Sequence, residues 1–311
     1  MVALRRLPRD LPPPLDDGRP TRSVHPYDRV KMHLWGGIVN ASAMAMKNKW
    51  PGRRACIDLF ASYGLNRISD TGELCWGSAL LALHADAGFD TYIFCDKSAA
   101  ATKVLAERIA DERYFALPVF DLDIGSENAG ARTTEIKGAV TSGPKVIVLT
   151  GDANDAPVFI RALMPAWEHN RYALTLIDPP SLSFWWESLE ALTFNERMDL
   201  MLLFAEGMDL NRNLNRYAAK EQSKLDRFIG TTEWRDLLSE RRPTFALREF
   251  YKERMKKYLG YEAFGSYDRL VRNSKHAELY KLIYASKIKL GSDLWNKANK
   301  DEPDGQISLI V

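Results

Sequence analysis

The chain has 311 residues, of which 46% are hydrophobic and 27% are charged, and its formal net charge is only +2. This length is enough for one large domain, and the composition is that of a globular protein. No uncharged apolar run reaches the roughly 18 to 20 residues of a membrane-spanning helix, and the first residues lack the apolar stretch of a secretory signal. We therefore expect no membrane association and a cytoplasmic location.

The first elements alternate between helices and short apolar runs. Residues 1–27 are rich in proline and charge, which predicts a disordered or extended lead. Residues 27–50 have the apolar spacing of a helix that should end before Pro51. They are followed by a predicted strand at 54–60, a helix at 77–89, a strand at 91–96 and a helix at 98–113.

The alternation continues with strands at 145–152, 173–178 and 199–208 and a helix at 155–170. Continuous apolar strands that alternate with helices predict a parallel sheet covered on both faces. After helical segments at 221–240 and 243–260, two strands at 261–273 and 278–287 have no helix between them, which is typical of an antiparallel pair.

This plan is similar to the sheet of Rossmann-like methyltransferases. We predict an α/β fold with five parallel strands, a C-terminal antiparallel hairpin strand and helices on both faces. The domain should span residues 28–300, with a helical insertion at about 208–242 and a tail at 301–311.

Acidic residues follow four of the predicted strands: Asp58, Asp96, Asp152 and Asp178. In an open parallel sheet, ligands bind beyond the carboxyl ends of the strands. Asp96 is placed to accept hydrogen bonds from a ribose diol, and Asp152 to face an adenine. A single acid after a strand is often only a helix cap, but four at successive strand ends predict a ligand site.

The ligand of that site is indicated by what the first loop lacks. The chain contains neither a G-x-G-x-x-G run after its first strand nor a P-loop, so it has no cradle for a pyrophosphate. This favours S-adenosylmethionine, which carries no phosphate, over a dinucleotide.

Seven segments in the order "IDLFASYG", "GSALLAL", "GDAND", "IDPPSLSFWW", "DLMLLFAEGMDLNRNL", "FIGTTEWRDLL" and "YKERMKKYLGY" resemble the three-Cys-motif partner proteins. The resemblance runs from about Lys31 to Trp295. It implies a methyltransferase-like fold, S-adenosylmethionine as the ligand, and a neighbouring three-cysteine protein, similar to radical S-adenosylmethionine enzymes, as the partner.

By position, the resemblance implies a set of cofactor-binding residues. Asp58, Phe60, Ala61 and Gly64 would line the methionine and loop region, Asp96 the ribose, and Asp152 with Ala153 the adenine. Gly77 and Ser78 match a Gly-Ser pair of the family, or simply a helix start capped by Ser78. Family members commonly show Phe-Ala-Gly-x-Gly, whereas Ser62 stands at the first glycine and adds a side chain where the ligand would approach.

The step Asp178-Pro179-Pro180 resembles the Asp-Pro-Pro-aromatic signature of methyltransferases that act on exocyclic amino groups of bases. There the Asp side chain and the carbonyl after it orient the amino group, which depends on positioning more than on a strong base. Ser181 replaces the aromatic here. A flipped base would then stack on Phe184, Trp185 or Trp186, unless these rings start an amphipathic helix and pack into the core.

Five further residues have weaker support. Arg212 and Arg216 follow the fifth strand and would contact phosphate or an acidic substrate, unless they lie on a helix surface. Lys31, Trp35 and Asn40 in the first helix would cover the pocket, although nothing in their spacing requires it.

Charge is uneven along the chain. Residues 241–300 hold 15 Lys or Arg and 6 Asp or Glu, so that segment has a net charge of +9. Such a basic end would meet nucleic acid or an acidic partner, or form a solvated helical face.

The cysteines and histidines give no metal or disulfide pattern. Cys56, Cys75 and Cys95 are odd in number and about twenty residues apart, so we interpret them as small reduced residues rather than as the family's three-cysteine motif. The five histidines are scattered, and we predict no metal site.

Three functional hypotheses follow. The first is a methyltransferase that uses S-adenosylmethionine to methylate a nitrogen of a nucleobase or nucleic acid. The second is a methyltransferase-like accessory subunit that docks the three-cysteine partner and does not methylate on its own. The third is a nucleic-acid binder without catalysis.

Overall fold

The computed structural model describes residues 10–164 and 170–300. The strands of this part of the chain are β1 (Arg22–Val24), β2 (Arg54–Asp58), β3 (Leu65–Ile68), β4 (Leu74–Trp76), β5 (Thr91–Asp96), β6 (Val119–Asp123), β7 (Lys145–Thr150), β8 (Tyr172–Ile177), β9 (Met198–Phe204), β10 (Ala263–Phe264), β11 (Arg269–Arg272) and β12 (Glu278–Ser286). The α-helices are α1 (Asp28–Met46), α2 (Ser78–Leu83), α3 (Ala99–Ala110), α4 (Ala129–Gly138), α5 (Pro157–Leu163), α6 (Trp186–Thr193), α7 (Asn211–Ala218), α8 (Lys224–Ile229), α9 (Pro243–Leu259) and α10 (Lys289–Ala298).

The main sheet is mixed and nine-stranded, with the order β12-β9-β8-β2-β5-β7-β6 and with β10 and β11 both paired to β12. The strands from β9 to β6 are parallel. β2, β8 and β9 are buried along their whole length because helices cover both faces of the sheet. The predicted α/β class with a central parallel sheet is therefore confirmed.

The strand count differs from the prediction, because six strands rather than five are parallel. The sixth, β6, lies at the edge beside β7. In it Leu122 is buried between the exposed Asp121 and Asp123, so its sequence has no continuous apolar run. An edge strand with one solvated face lacks the signal by which the central strands were predicted.

The antiparallel end of the sheet also differs in detail. β12 pairs antiparallel with β9, as expected for a hairpin strand, and spans nine residues. Its other edge is shared by two short strands, β11 and β10, which pair with different parts of it.

A second sheet, with the order β1-β3-β4, was not predicted; its strands β3 and β4 lie between β2 and α2 in the chain, and β1 comes from the N-terminal lead. It is joined to the first loop at a close backbone contact, in which Gly77 N donates to Gly64 O at 2.7 Å. A Cβ at Gly77 would lie 2.6 Å from that carbonyl oxygen, and Gly64 has φ +79°. Both glycines are therefore required by the backbone of this hairpin.

The N-terminal lead is extended where it is described, and it packs on the domain. Asp17 forms an ion pair with Arg108 at 2.8 Å, and both side chains are almost fully buried. The Arg108 guanidinium also donates to the carbonyls of Pro20 and Tyr63, so it joins the lead to the first loop. Residues 1–9 of the predicted lead lie outside the described residues.

Helical segments follow β9, in the region predicted as an insertion. They comprise a π-helical turn (Glu206–Leu210), α7, α8 and a 3₁₀ helix (Glu233–Ser239). The predicted tail at 301–311, and residues 165–169 of the predicted helix at 155–170, lie outside the described part of the chain. Within that part, we find no helix with the length and apolar content needed to cross a membrane.

Candidate active site at the strand ends

A cavity of about 230 Å³ opens at the carboxyl ends of β2, β5, β7 and β8. Strand order reverses here, because the chain passes from β2 to β5 and β7 on one side and later returns to β8 on the other. We call it the strand-end cavity. Its lining residues are Arg22, Leu59, Phe60, Ser62, Asp96, Lys97, Asp152, Ala153, Asp178, Pro180 and Ser183.

Three of the four predicted acids, Asp96, Asp152 and Asp178, line this cavity together. Asp96 is held by two backbone donors, since Ser62 N and Ser98 N each lie 2.9 Å from one of its oxygens. A carboxylate has about four acceptor positions, so Asp96 can still accept hydrogen bonds from a ligand.

Ser62 has φ +53°, in the left-handed region that favours glycine. The chain therefore makes the turn of a glycine loop at this position with a serine. Ser62 lines the strand-end cavity.

Asp58 lies beneath the first loop, is fully buried, and does not line the cavity. Its Oδ1 accepts a hydrogen bond from Phe60 N at 3.0 Å. Burial raises the pKa of Asp58 to about 7, and the nearby hydroxyl of Ser78 and the Phe60 amide oppose this rise. The Ser78 hydroxyl does not form a hydrogen bond of good geometry at Oδ2. This carboxyl is therefore poised to change its charge near neutral pH.

Asp178 forms a buried ion pair that the sequence did not predict. Lys31 Nζ on α1 lies 2.6 Å from Asp178 Oδ2 and 3.3 Å from Asp28 Oδ1. Burial lowers the pKa of Lys31, but the carboxylates of Asp178 and Asp28 outweigh it and the net shift is upward. A lysine of helix α1 thus neutralises the candidate acceptor-orienting acid, although no residue of α1 lines the strand-end cavity.

Tyr280 on β12 adds a polar group to the same place. The Lys31 ammonium lies 5.7 Å from the centre of its ring. The Tyr280 hydroxyl is buried and has no hydrogen-bond partner among the described residues. Its pKa is raised by burial and by the charges of Asp28 and Asp178.

Asn154 joins the loop after β7 to the loop after β8. Its Nδ2 donates to Asp152 Oδ1 and to Ser183 O, both at 2.9 Å, and its Oδ1 accepts from Trp185 N at 2.8 Å. This amide fixes two walls of the strand-end cavity relative to one another.

The aromatic residues after Pro180 divide between core and surface. Phe184 and Trp186 are buried, with 2% and 5% exposed. Phe184 therefore has no free face on which a base could stack, which corrects its assignment to the substrate site. Trp185 is half-buried, and the Arg227 guanidinium lies 4.2 Å from its ring centre.

Ser181, which stands where an amino methyltransferase has its aromatic, contacts a lysine. Lys224 Nζ on α8 donates to its hydroxyl. The same ammonium lies 3.7 Å from the buried Asp209. Basic groups thus flank the Asp-Pro-Pro step on both sides.

The remaining predicted residues are placed as follows. Pro180 and Ala153 line the cavity, whereas Pro179 and Ala61 are buried behind it. Arg212 is exposed on α7 and does not line the cavity. Gly77 is the N-cap of α2, and no side chain caps this helix. On α1, Trp35 donates a hydrogen bond to Ser78 O at 3.0 Å, and Asn40 accepts one from the backbone N–H of Asp86. Arg216 is exposed.

Sequence reasoning missed Arg22, Lys97, Asn154 and Ser183, and left Lys31 out of the site. Lys31 carried a usable signal, because a lysine within the buried face of α1 needs an acidic partner. Arg22 had none, since it belongs to a three-residue strand of the lead.

The cysteines are free, and Cys56 and Cys95 are buried. Burial raises the pKa of all three thiols, that of Cys75 to about 11. Among the described residues we find no cluster of three His, Cys, Asp or Glu able to hold a metal ion.

No protein-family model matches the sequence, and a search of curated proteins finds no significant match. The resemblance to three-Cys-motif partner proteins therefore stays a prediction. Solved structures are similar at low identity. A Legionella pneumophila protein designated LPL1258 gives a TM-score of 0.45 at 10% identity, covering 86% of this chain and 90% of that one.

Two further solved structures are those of methyltransferases. An O-methyltransferase from Bacillus cereus in complex with S-adenosylhomocysteine gives a TM-score of 0.39 at 13% identity, covering 87% of this chain and 85% of that one. Trm1 from Pyrococcus horikoshii with S-adenosyl-L-methionine gives 0.45 at 13% identity, with coverage of 89% and 59%. TM-scores below 0.5 do not establish a shared activity. The fold and the candidate site are therefore described from the geometry of this chain alone.

Proposed function

We propose that the protein is an S-adenosylmethionine-dependent methyltransferase that acts on a nitrogen, the exocyclic amino group of a nucleobase or nucleic acid. The observation that carries this proposal is the meeting of Asp96, Asp152 and Asp178 in one cavity, at the edge where strand order reverses. The three carboxylates can accept hydrogen bonds from the hydroxyl and amino groups of a ligand, and the first loop has no motif that would bind a phosphate.

The residues present fit the cofactor by their chemistry. Asp96 offers free acceptor positions for ribose hydroxyls, and Asp152 and Ala153 offer an acceptor and an apolar surface for an adenine. The cavity of about 230 Å³ is smaller than the roughly 300 to 1,000 Å³ of most ligand sites. S-adenosylmethionine therefore fits this cavity if part of the cofactor lies outside it.

Bound S-adenosylmethionine supplies an electrophilic methyl group. This chain's own part is to position the acceptor. Lys31 engages Oδ2 of Asp178, so the other carboxylate oxygen is the one that would accept a hydrogen bond from an amino group. Such a bond orients the nitrogen without requiring a strong base.

Trp185 and its neighbour Arg227 support a planar substrate. Phe184 is buried, whereas Trp185, two residues after Ser183 of the strand-end cavity, is half-buried and keeps an accessible surface. Base stacking on such a ring contributes about 1 to 3 kcal/mol. Arg227 and Lys224 would add contacts to a phosphate backbone.

Calorimetry with S-adenosylhomocysteine tests the cofactor assignment. We expect saturable binding by the wild-type protein and at least about tenfold weaker binding by Asp96→Ala, because a carboxylate that hydrogen-bonds a ligand contributes roughly 1.5 to 3 kcal/mol. Asp293→Ala, an exposed acid on α10, is the matched control and should bind normally. No binding of S-adenosylmethionine or its product to the folded wild-type protein would exclude the proposal.

The acceptor is tested with tritiated S-adenosylmethionine and mixed DNA, RNA and nucleosides. Asp178→Ala should abolish label transfer while S-adenosylhomocysteine still binds. Label carried by oxygen rather than nitrogen would refute the amino-group assignment and leave the cofactor assignment standing.

A second candidate is a methyltransferase-like accessory subunit that docks a three-cysteine partner, through the basic end at 241–300. The Lys31–Asp178 ion pair favours it, because the acid that should orient the acceptor is already bound. Ser62 and Ser181 are departures that also weaken an enzyme assignment. Methylation by the chain alone, lost in Asp178→Ala, would exclude this candidate. Nucleic-acid binding without catalysis would show as affinity that falls steeply with salt.

A further inference from the structure

A second cavity, of about 640 Å³, lies at the opposite edge of the main sheet. It is lined by Tyr172, the first residue of β8, and by Arg197, which directly precedes β9. Lys287 and Gly260, which directly follow β12 and α9, line it as well. We call it the opposite-edge cavity. Its volume lies within the roughly 300 to 1,000 Å³ of small-molecule sites, and none of its lining residues belongs to the strand-end cavity.

Three cations line the opposite-edge cavity without a carboxylate in ion-pair distance among the described residues: Lys49, Arg197 and Lys287. Lys49 and Arg197 lie over the ring of Trp50, at 5.6 and 5.1 Å from its centre. Lys287 Nζ donates to Thr193 O at 2.9 Å, and burial lowers its pKa. A partly desolvated ammonium with one carbonyl partner gains strongly from a nearby anion.

Of the two acids that line the same cavity, Glu196 acts on Lys287, because its charge raises the pKa of that lysine and so opposes the effect of burial. Glu196 is bound by Arg171 at 2.9 Å and has Arg161 at 3.7 Å. Asp199 accepts hydrogen bonds from the Tyr172 and Tyr284 hydroxyls, both at 2.9 Å. Burial raises the pKa of Asp199, and these hydrogen bonds oppose the rise.

Helix ends offset part of the positive charge. α1, α6 and α9 all end at this cavity, and each helix C-terminus carries about −0.5 of an elementary charge. Together they cancel roughly half of the charge on the three cations. Lys49 and Arg197 are exposed and Lys287 is half-buried, so the positive charge that remains at this cavity lies mostly at its solvent-accessible side.

The rim of the cavity is apolar and exposed. Phe194 is 59% exposed, Tyr258 50% and Ile288 41%, and Phe194 is followed by Asn195 with φ +56°. Large exposed apolar side chains that surround a concave site are typical of a surface that binds a ligand.

We propose that the opposite-edge cavity binds a small organic monoanion, with its carboxylate or sulfonate at Arg197 and Lys287 and its planar or aliphatic body against the apolar rim of Phe194, Tyr258 and Ile288. The site would be separate from any chemistry at the strand-end cavity. The cations favour a ligand with an anionic group, and the apolar rim favours a ligand whose remaining part is apolar.

Isothermal titration calorimetry with 2-naphthoate tests the proposal, with uncharged 2-naphthamide as the isostere. We expect saturable binding of the anion at one site and binding of the amide at least about tenfold weaker, since one desolvated charge contact contributes roughly 1.4 kcal/mol or more. Arg197→Gln and Lys287→Gln should each lower the affinity about tenfold. Lys103→Gln, an exposed lysine on α3, is the matched control and should leave the affinity unchanged.

Phe194→Asp keeps the test decisive if a cation variant fails to fold, because this side chain is exposed and its replacement adds a negative charge at the rim. Its affinity for 2-naphthoate should also fall at least about tenfold. Equal affinities for the anion and the amide would overturn the proposal. It would also be overturned if none of the three cavity variants changed the affinity for 2-naphthoate. A third refuting result is that 2-naphthoate, decanoate and phenyl phosphate all fail to bind saturably. Binding of an acidic peptide where none of these small anions binds would overturn it as well.

Discussion

Replacing Lys31 by methionine should destabilise the protein by about 3 kcal/mol, at the lower end of the roughly 3 to 5 kcal/mol for breaking a buried ion pair. The Lys31 and Asp178 side chains are 7% and 8% exposed, and their charged atoms lie 2.6 Å apart. At an effective dielectric constant of about 20, this attraction is about 6 kcal/mol before desolvation is subtracted. Methionine preserves the volume, so the loss comes from an Asp178 charge left near Asp58 and Asp96 with no cation.

Urea denaturation of a double-mutant cycle measures this effect. Lys31→Met should be the most destabilised variant, Asp178→Asn should lose less because Lys31 keeps Asp28 at 3.3 Å, and the double variant should recover at least about 1 to 2 kcal/mol relative to Lys31→Met. Lys103→Met is the surface control, expected within about 0.5 kcal/mol of wild type. If the two single losses simply add, the ion pair does not stabilise this site and the reasoning is wrong.

Three further changes have defined outcomes. Burial raises the pKa of Asp58 from its ordinary value of 3.8 to about 7 in the folded protein, so the folded state holds a proton between these values and its stability falls as pH rises through that window. Between pH 5 and pH 8, the free energy of unfolding of Asp58→Asn, measured in urea melts, should therefore rise by about 2 to 3 kcal/mol relative to that of wild type. Parallel pH profiles for the variant and wild type would contradict this. Ser62→Gly should stabilise the protein by roughly 0.5 to 1 kcal/mol, because relief of the left-handed conformation exceeds the entropy cost of glycine, and a lower Tm would count against it. Gly77→Ala should cost about 2 to 3 kcal/mol, since its Cβ would meet Gly64 O at 2.6 Å, whereas the open position Gly130→Ala should be tolerated.

The central sheet could be predicted because its signal is local. β2, β5, β7, β8 and β9 are short apolar runs bounded by polar loops, and burial of both faces makes such runs continuous. The acids that follow them are visible in the same way. Parallel strands bring their carboxyl ends to one edge, which is why Asp96, Asp152 and Asp178 could be placed together without a structure.

Short and half-exposed strands could not be predicted. β1, β3 and β4 have three or four residues each, and β6 has one buried residue between two exposed acids. Their stability comes from pairing with strands distant in the chain, such as Arg22 with Asn66. Such pairing leaves no periodic pattern in either segment.

The sequence by itself determined the α/β class, the parallel core and the edge on which the acids lie, since these follow from local hydrophobic pattern and chain direction. Tertiary structure alone decided what each acid contacts. Lys31 and Asp178 are 147 positions apart and meet only because α1 folds over the end of β8. Burial likewise separated Phe184 from Trp185 and raised the pKa of Asp58. These properties depend on which groups are removed from water together, and that is fixed by packing between elements far apart in the chain.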